Sequence, residues 1–209
     1  MSRTVNQNAP TWEAVAAYIE AGEVLIVGID EVGRGALAGP VVAAAVILPP
    51  RLVVDGARDS KLVPPARRLV IDRSVRRQAF AIGIGWVSSR EIDEYGLSWA
   101  VNQSGRRAIA ALDHEYHRIM LDGKHNYLAP DYPSMVMIKA DQYVMPVAAA
   151  SIVAKVARDR YMKIIDRIYP RYGFGRHVGY GTAGHLEAIG EFGPSPVHRL
   201  SFAPLKGRT

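Results

Sequence analysis

Near its N-terminus the chain contains the stretch Val24-Leu25-Ile26-Val27-Gly28-Ile29-Asp30-Glu31-Val32-Gly33-Arg34-Gly35. Its apolar first half predicts a buried strand that ends in two adjacent carboxylates, Asp30 and Glu31. Neighbouring ionised acids repel each other and lose hydration at the edge of a core, so a divalent metal ion is the best candidate to compensate them. Because Gly33-Arg34-Gly35 lets backbone approach a ligand beside one cation, the stretch predicts a metal-dependent site for a phosphate-bearing substrate.

The composition is that of one globular domain with a preference for polyanions. The 209 residues are 49% hydrophobic and 22% charged, with a formal net charge of +6 and a pI near 9.6. This positive excess makes nucleic acid the leading partner class. The absence of cysteine excludes a disulfide scaffold, a thiol nucleophile and a zinc-thiolate site.

The hydropathy of the chain gives no sign of a membrane segment. Residues 1–10 are polar and lack the apolar core of a signal peptide. The longest apolar run, 41–48, has eight residues, whereas a bilayer span needs about 20. We therefore expect a soluble, cytoplasmic protein without membrane association, and we expect it to be a monomer.

The periodicity of the apolar residues predicts a mixed sheet flanked by helices, because three early strands form a meander and the later strands alternate with helices. Strands are predicted at 24–30, 41–48, 79–87, 118–122 and 134–139, and helices at 11–21, 64–78, 98–116, 146–168 and 185–189, with a short helix after a Ser88/Glu91 capping box. We predict a single domain over 1–209, with a core at about 24–168 and a helical and loop-rich C-terminal part at about 169–209.

Two further acids, Asp122 and Asp141, follow predicted strands and extend the metal hypothesis. If neighbouring strands bring them to the rim that holds Asp30 and Glu31, four carboxylates form a cluster of hard oxygen ligands that selects Mg²⁺ or Mn²⁺. Two such ions about 4 Å apart can clamp the attacking water and the leaving oxygen of a phosphodiester. The structural alternative is that Asp122 and Asp141 merely form turns or cap helices.

Segments along most of the chain resemble the ribonuclease HII family, and they occur in the family's order from about residue 24 to 202. The resemblance is carried by Ile29–Gly35, Leu37–Val46, Asp59-Ser60-Lys61, Asp122-Gly123, Lys139-Ala140-Asp141, Ala148–Asp159, Tyr172-Gly173-Phe174, Gly179–Thr182 and Val197–Phe202. The chain departs from the family pattern after Lys61, where Leu62-Val63-Pro64-Pro65 replaces a familiar second lysine. It also departs in the link 142–146 and in the loop 124–127.

The resemblance implies an α/β ribonuclease H-like fold with a mixed five-stranded sheet, flanking helices and a helical C-terminal part. It implies endonucleolytic cleavage of RNA in RNA/DNA hybrids and at single ribonucleotides embedded in duplex DNA, with Mg²⁺ or Mn²⁺ as cofactor. The catalytic and metal-binding residues of the family fall on Asp30, Glu31, Asp122 and Asp141 in this chain. Its ribonucleotide-sensing elements fall on Gly33, Arg34, Gly35 and Tyr180.

Several basic residues and histidines remain as candidates beside these sites. Lys61, Lys155, Arg158 and Arg176 could contact phosphates, although a solvated surface charge is the alternative for each. His177, His185 and His198 do not match the spacing of a metal motif and are better explained by capping or packing.

Two other functions would fit parts of the sequence. One is a non-catalytic basic protein that coats nucleic acid. The other is a carboxylate exonuclease, although such enzymes usually separate their first two acids by one residue.

Overall fold

The architecture is a five-stranded mixed sheet with helices on both faces. The structure, a computed structural model, describes residues 9–207, so residues 1–8 and 208–209 of the predicted single domain, with most of the polar N-terminal segment, lie outside the described residues. The strands are β1 (Ile26–Val32), β2 (Val41–Ile47), β3 (Ala81–Val87), β4 (Arg118–Asp122) and β5 (Ser134–Met137). Their order across the sheet is β3-β2-β1-β4-β5.

The connections determine which strands run parallel. The short link 33–40 turns the chain back, so β1 and β2 are antiparallel, and β2 and β3 are antiparallel as well. Longer crossovers make β1 parallel to β4 and β4 parallel to β5. The last β1–β4 pair is Ile29 with Leu121, so the next residues, Asp30 and Asp122, lie side by side.

Eight α-helices complete the described part of the chain: α1 (Ala16–Glu20), α2 (Pro65–Gln78), α3 (Ser89–Tyr95), α4 (Leu97–Ala110), α5 (Ala140–Tyr143), α6 (Met145–Ile168), α7 (Phe174–His177) and α8 (Ala183–Phe192). Helix α6 covers one face of the sheet and α4 covers the other, with a buried apolar cluster on each side. Residues 147–154 of α6 are all buried. The alanine-rich run therefore packs closely on the sheet, as predicted.

Several element boundaries differ from the prediction, and three of the differences occur at turns. Strand β5 ends at Met137 rather than Lys139, because Lys139 adopts a left-handed φ of 60° and precedes α5. Helix α4 ends at Ala110 rather than Tyr116, and the Ala111 N–H closes its last turn on Arg107. The segment predicted as a loop at 172–184 contains α7 and the start of α8. These are local turn geometries that hydrophobic periodicity does not report.

A separate apolar cluster holds the C-terminal segments against the end of α6. It includes Met162, Tyr172, Phe174 and Ile189, together with Leu37 and Ala38 of the link between β1 and β2. The same packing fixes the link that carries Gly33-Arg34-Gly35. Within residues 9–207, none of the helices combines the length and the apolar character that crossing a bilayer requires.

Candidate active site

A cavity of about 500 Å³ opens where β1 and β4 end. All nine residues predicted to form the site line it: Asp30, Glu31, Gly33, Arg34, Gly35, Lys61, Asp122, Asp141 and Tyr180. They come from β1, the link after it, the 3₁₀ turn Ser60–Leu62, β4, α5 and the segment before α8. The fold therefore brings together groups that lie up to 150 positions apart in the chain.

The sheet and α5 position the carboxylates differently. The parallel register places Asp30 beside Asp122. Asp141 was predicted to lie at the end of a strand. It lies instead in the first turn of α5. The Asp122 carboxylate accepts a hydrogen bond of 2.7 Å from the Ala140 N–H, which ties the end of β4 to the start of α5. That bond brings Asp141 to the same cavity.

Local hydrogen bonds orient Asp30 and Glu31. One carboxylate oxygen of Asp30 accepts from the Glu31 N–H at 2.8 Å, and one oxygen of Glu31 accepts from the Arg34 guanidinium at 2.9 Å. Side chains alternate along a strand, so Asp30 faces α6 and Glu31 faces the opposite side. Burial raises the pKa of Asp30, and Ser151 of α6, on the same side, lowers it by a smaller amount.

The carboxylates make one another harder to ionise. Burial raises the pKa of Asp30 well above its usual value, and the neighbouring charge of Glu31 raises it further. Burial also raises the pKa values of Glu31 and Asp122. Burial and the charge of Asp122 together raise the pKa of Asp141 to about 6. A cation in the cavity would reverse each of these shifts, because it favours the ionised form.

The chemistry of this donor set fits a hard divalent cation. Carboxylate oxygens are the ligands that Mg²⁺ and Mn²⁺ prefer. Among residues 9–207, no three acidic or histidine side chains lie close enough together to form a metal-ligand set as they stand. The four acids do, however, line one cavity.

The two glycines beside Arg34 have different structural roles. Gly33 has a φ of +95°, and a Cβ there would lie 2.4 Å from Nε of Arg158, so the fold itself requires glycine. A Cβ at Gly35 would meet no atom within 4 Å. No residue in 9–207 makes a hydrogen bond with the backbone N–H or C=O of Gly35. The open side of Gly35 is thus available for the close approach of a ligand.

Lys61 and Tyr180 border the same cavity. The Asp59 carboxylate caps the 3₁₀ turn by accepting from the Lys61 N–H at 3.0 Å, which leaves the exposed lysine side chain at the rim. Its charge lowers the pKa values of Asp122 and Asp141 against the larger effect of burial. Tyr180 is half-buried, and the guanidinium carbon of Arg158 lies 5.5 Å from the centre of its ring.

Sequence reasoning missed two hydroxyls and misplaced one arginine. Ser60 and Ser151 line the cavity, and their hydroxyls lie 3.1 Å apart. A single serine within the alanine-rich face of α6 was the available signal for Ser151. Arg158, predicted as a phosphate contact or a surface charge, is neither, because it is fully buried and donates to backbone carbonyls. Lys155 does line the cavity and pairs with Asp159 at 2.7 Å.

The three histidines pack together, as expected. His185 and His198 are buried, and their Nε2 atoms lie 3.1 Å apart. The rings of His177 and His185 stack at 4.3 Å between centroids.

Solved structures with the same architecture define the class of the fold. The structure of ribonuclease H2 from Pyrococcus horikoshii OT3 aligns with a TM-score of 0.71 at 23% identity, over 87% of this chain and 95% of that one. Bst-RNase HIII in complex with Mn²⁺ aligns with a TM-score of 0.65 at 21% identity, over 88% of this chain and 68% of that one. The protein therefore has the ribonuclease H fold.

Sequence comparison identifies the family within this class. The chain matches the Ribonuclease HII family over residues 27–205. It is 46% identical over 199 residues to Ribonuclease HII of Geobacillus thermodenitrificans (strain NG80-2), covering 93% of this chain and 76% of that protein. The chain belongs to the ribonuclease HII family. It is a metal-dependent ribonuclease H-type endonuclease, a hydrolase that acts on nucleic acid.

Proposed function

We propose that this enzyme hydrolyses the phosphodiester on the 5′ side of a ribonucleotide, both in RNA/DNA hybrids and at single ribonucleotides embedded in duplex DNA. The products are a 3′-OH end and a 5′-phosphate end. One observation carries the proposal: four carboxylates and a backbone segment with an open side, at Gly35, line one cavity. The acids supply the chemistry, and the segment supplies the means to recognise a sugar.

The proposed cofactor is a pair of Mg²⁺ or Mn²⁺ ions held by Asp30, Glu31, Asp122 and Asp141. The structural neighbour Bst-RNase HIII was solved in complex with Mn²⁺, which supports a divalent ion in this fold. When bound, such ions activate a water molecule and stabilise the departing oxygen. The carboxylates then remain ionised, because the cations offset the burial and repulsion that raise their pKa values.

The chain's own residues orient the scissile bond. The exposed Lys61 and the half-buried Lys155 border the cavity and can each donate to a phosphate oxygen. The Gly35 N–H and C=O can donate to and accept from a ribose 2′-OH, which deoxyribose lacks. Tyr180 lies where its ring can pack against the same sugar. The 2′-OH is thus a recognition group rather than the nucleophile.

We also propose that the enzyme acts as a monomer. The two alternatives, a coating protein and an exonuclease, differ from this proposal in what they do to a substrate that has no ends.

A closed circular duplex that contains one ribonucleotide tests the proposal. We expect Mg²⁺- or Mn²⁺-dependent nicking immediately 5′ of the ribonucleotide, loss of nicking in EDTA, and no nicking of an all-DNA circle. EDTA-insensitive binding without nicking would support the coating protein, and cleavage that requires a free end would support the exonuclease. A 2′,3′-cyclic phosphate on the product would contradict the proposed role of the 2′-OH.

A further inference from the structure

Two arginines lie inside the protein and hold the segment Gly33–Pro40, here called the recognition loop. Arg158 of α6 and Arg199 near the C-terminus both have 0% exposure. Arg158 donates to the carbonyl oxygens of Pro40 at 2.9 Å and Ala38 at 3.1 Å. Arg199 donates twice to the Gly39 carbonyl, at 2.9 and 2.8 Å, and once to the Arg34 carbonyl, at 3.0 Å.

Neither guanidinium forms a salt bridge that would offset its burial. No residue in 9–207 forms one with Arg158 or Arg199, although other arginines of the chain do. The charges of Asp159 and Asp93 favour the ionised forms of Arg158 and Arg199, respectively, but burial has the larger effect on both. Burial, and then the charge of Arg158, lower the pKa of Arg199 to about 9. A buried charge without a counter-ion is costly, so hydrogen bonds to carbonyls must compensate it. These carbonyls belong mainly to the recognition loop.

Arg158 also links the loop to Tyr180. A third donor of Arg158 bonds the Val178 carbonyl at 2.8 Å, and its guanidinium lies beside the Tyr180 ring. The Leu37 N–H donates to the Gly179 carbonyl at 2.8 Å, which joins the loop directly to the residue before Tyr180. Gly179 has a φ of +86°, and a Cβ there would lie 2.3 Å from the Ala38 carbonyl oxygen.

We propose that Arg158 and Arg199 are positioning residues that hold the recognition loop and Tyr180 in the geometry that recognises the ribose 2′-OH. This inference rests on the proposed function, because it presupposes that the loop senses ribose. Neither residue lines the cavity and both are fully buried, so we expect them to act without touching the substrate. Arg199 acts through the Arg34 carbonyl, and Arg158 acts through Val178, Ala38 and Pro40.

The test compares Arg158→Lys and Arg199→Lys with Arg167→Lys, an exposed arginine on the same helix as Arg158. A lysine keeps the charge but loses the fork that reaches several carbonyls at once. The readout is the ratio of kcat/KM for a lone ribonucleotide in DNA to kcat/KM for a long RNA/DNA hybrid. A lone ribonucleotide offers one 2′-OH, so we expect the ratio to fall about tenfold in the buried variants. The Arg167 variant should keep the wild-type ratio.

An equal loss on both substrates would overturn the proposal, because a merely structural role lowers the amount of active enzyme and leaves the ratio unchanged. An unchanged ratio in variants that melt cooperatively would overturn it as well. If the wild-type enzyme does not distinguish the lone ribonucleotide from DNA, it is the proposed function that fails.

If neither buried variant folds, the wild-type protein decides the question by NMR of the arginine Nε–H groups. We expect slow hydrogen exchange at Arg158 and Arg199 in the free enzyme, with the same protection after a non-cleavable ribonucleotide duplex is added. Fast exchange at both positions in the free enzyme would overturn the proposal.

Discussion

The carboxylate cluster and the recognition loop border one cavity but are held in opposite ways. In the cluster, burial and like charges raise the pKa values of Asp30 and Asp141, so these groups destabilise one another when ionised. In the loop, buried cations donate to backbone carbonyls, and the geometry is complete within the chain itself. A bound cation would therefore stabilise the ionised carboxylates, whereas the loop is held by hydrogen bonds within the chain. On the function proposed above, this difference separates the chemistry of cleavage from the recognition of ribose.

The largest expected effect comes from removing one charge of the cluster. Asp30→Asn should lower the rate of cleavage at least about 10³-fold, because a central carboxylate ligand is lost. Binding of the duplex should change little, since the recognition loop is untouched. Single-turnover cleavage in Mg²⁺ and gel-shift binding in Ca²⁺ measure the two effects. Cleavage near the wild-type rate would remove Asp30 from the proposed site.

The two glycines of the recognition loop should respond differently to a methyl group. Gly35→Ala should fold normally but cleave at a lone ribonucleotide about 10- to 100-fold more slowly, because its Cβ would project into the open space where we propose that the sugar binds. Gly33→Ala should instead lower the free energy of unfolding by about 2 kcal/mol, because of its positive φ and its contact with Arg158. Thermal melts and cleavage kinetics on both variants test this contrast, and equal losses of stability would contradict it.

Tyr180 should matter for preference more than for catalysis. Tyr180→Ala should lower the preference for a lone ribonucleotide over a long hybrid about five- to tenfold, as expected for the loss of one aromatic contact. Tyr95→Ala, at a tyrosine with 53% exposure away from the cavity, is the matched control. The measurement is the ratio of kcat/KM values on the two substrates. A preference that stays unchanged would exclude this role for Tyr180.

The smallest expected effect is on stability, for Asp141→Asn. This substitution should stabilise the fold, although it should lower activity. The pKa of Asp141 is raised from 3.8 to about 6, so ionisation destabilises the folded state, and the penalty develops between these two pH values. In EDTA at pH 8, Asp141→Asn should therefore stabilise the protein by about 1 kcal/mol, since the open cavity partly screens the charge. At pH 3.5 the difference should vanish.

Urea unfolding at both pH values measures the Asp141 effect, with the exposed Asp113→Asn as control. Added Mg²⁺ should reverse the order, because a cavity with all four carboxylates binds the cation more tightly than one in which a neutral amide replaces Asp141. Destabilisation by Asp141→Asn in EDTA at pH 8 would contradict the repulsion described above.

Much of the fold, and the candidate site residues, could be predicted from the sequence, because the relevant signals are local. The apolar run that ends in Asp30 and Glu31 predicted β1 and the adjacent acids, and predicted strand ends suggested Asp122 and Asp141. The resemblance to ribonuclease HII then implied the roles of these acids and of Tyr180. The sheet with its flanking helices followed from the order of apolar segments. The boundary at Lys139 could not be predicted, because its left-handed φ depends on turn geometry rather than on hydrophobic pattern. Asp141 therefore moved from a predicted strand end into α5.

The sequence by itself determined the net charge of the chain, the strand β1 and the adjacency of Asp30 and Glu31. Composition and the periodicity of one strand are enough to predict these features. Only the tertiary structure decided the roles of Arg158 and Arg199, because sequence alone predicts that an arginine is a solvated surface charge. Their burial arises from α6 and the C-terminal segment closing over the link between β1 and β2. Desolvation and hydrogen-bond partners depend on neighbours distant in sequence, and these exist only after the chain has folded.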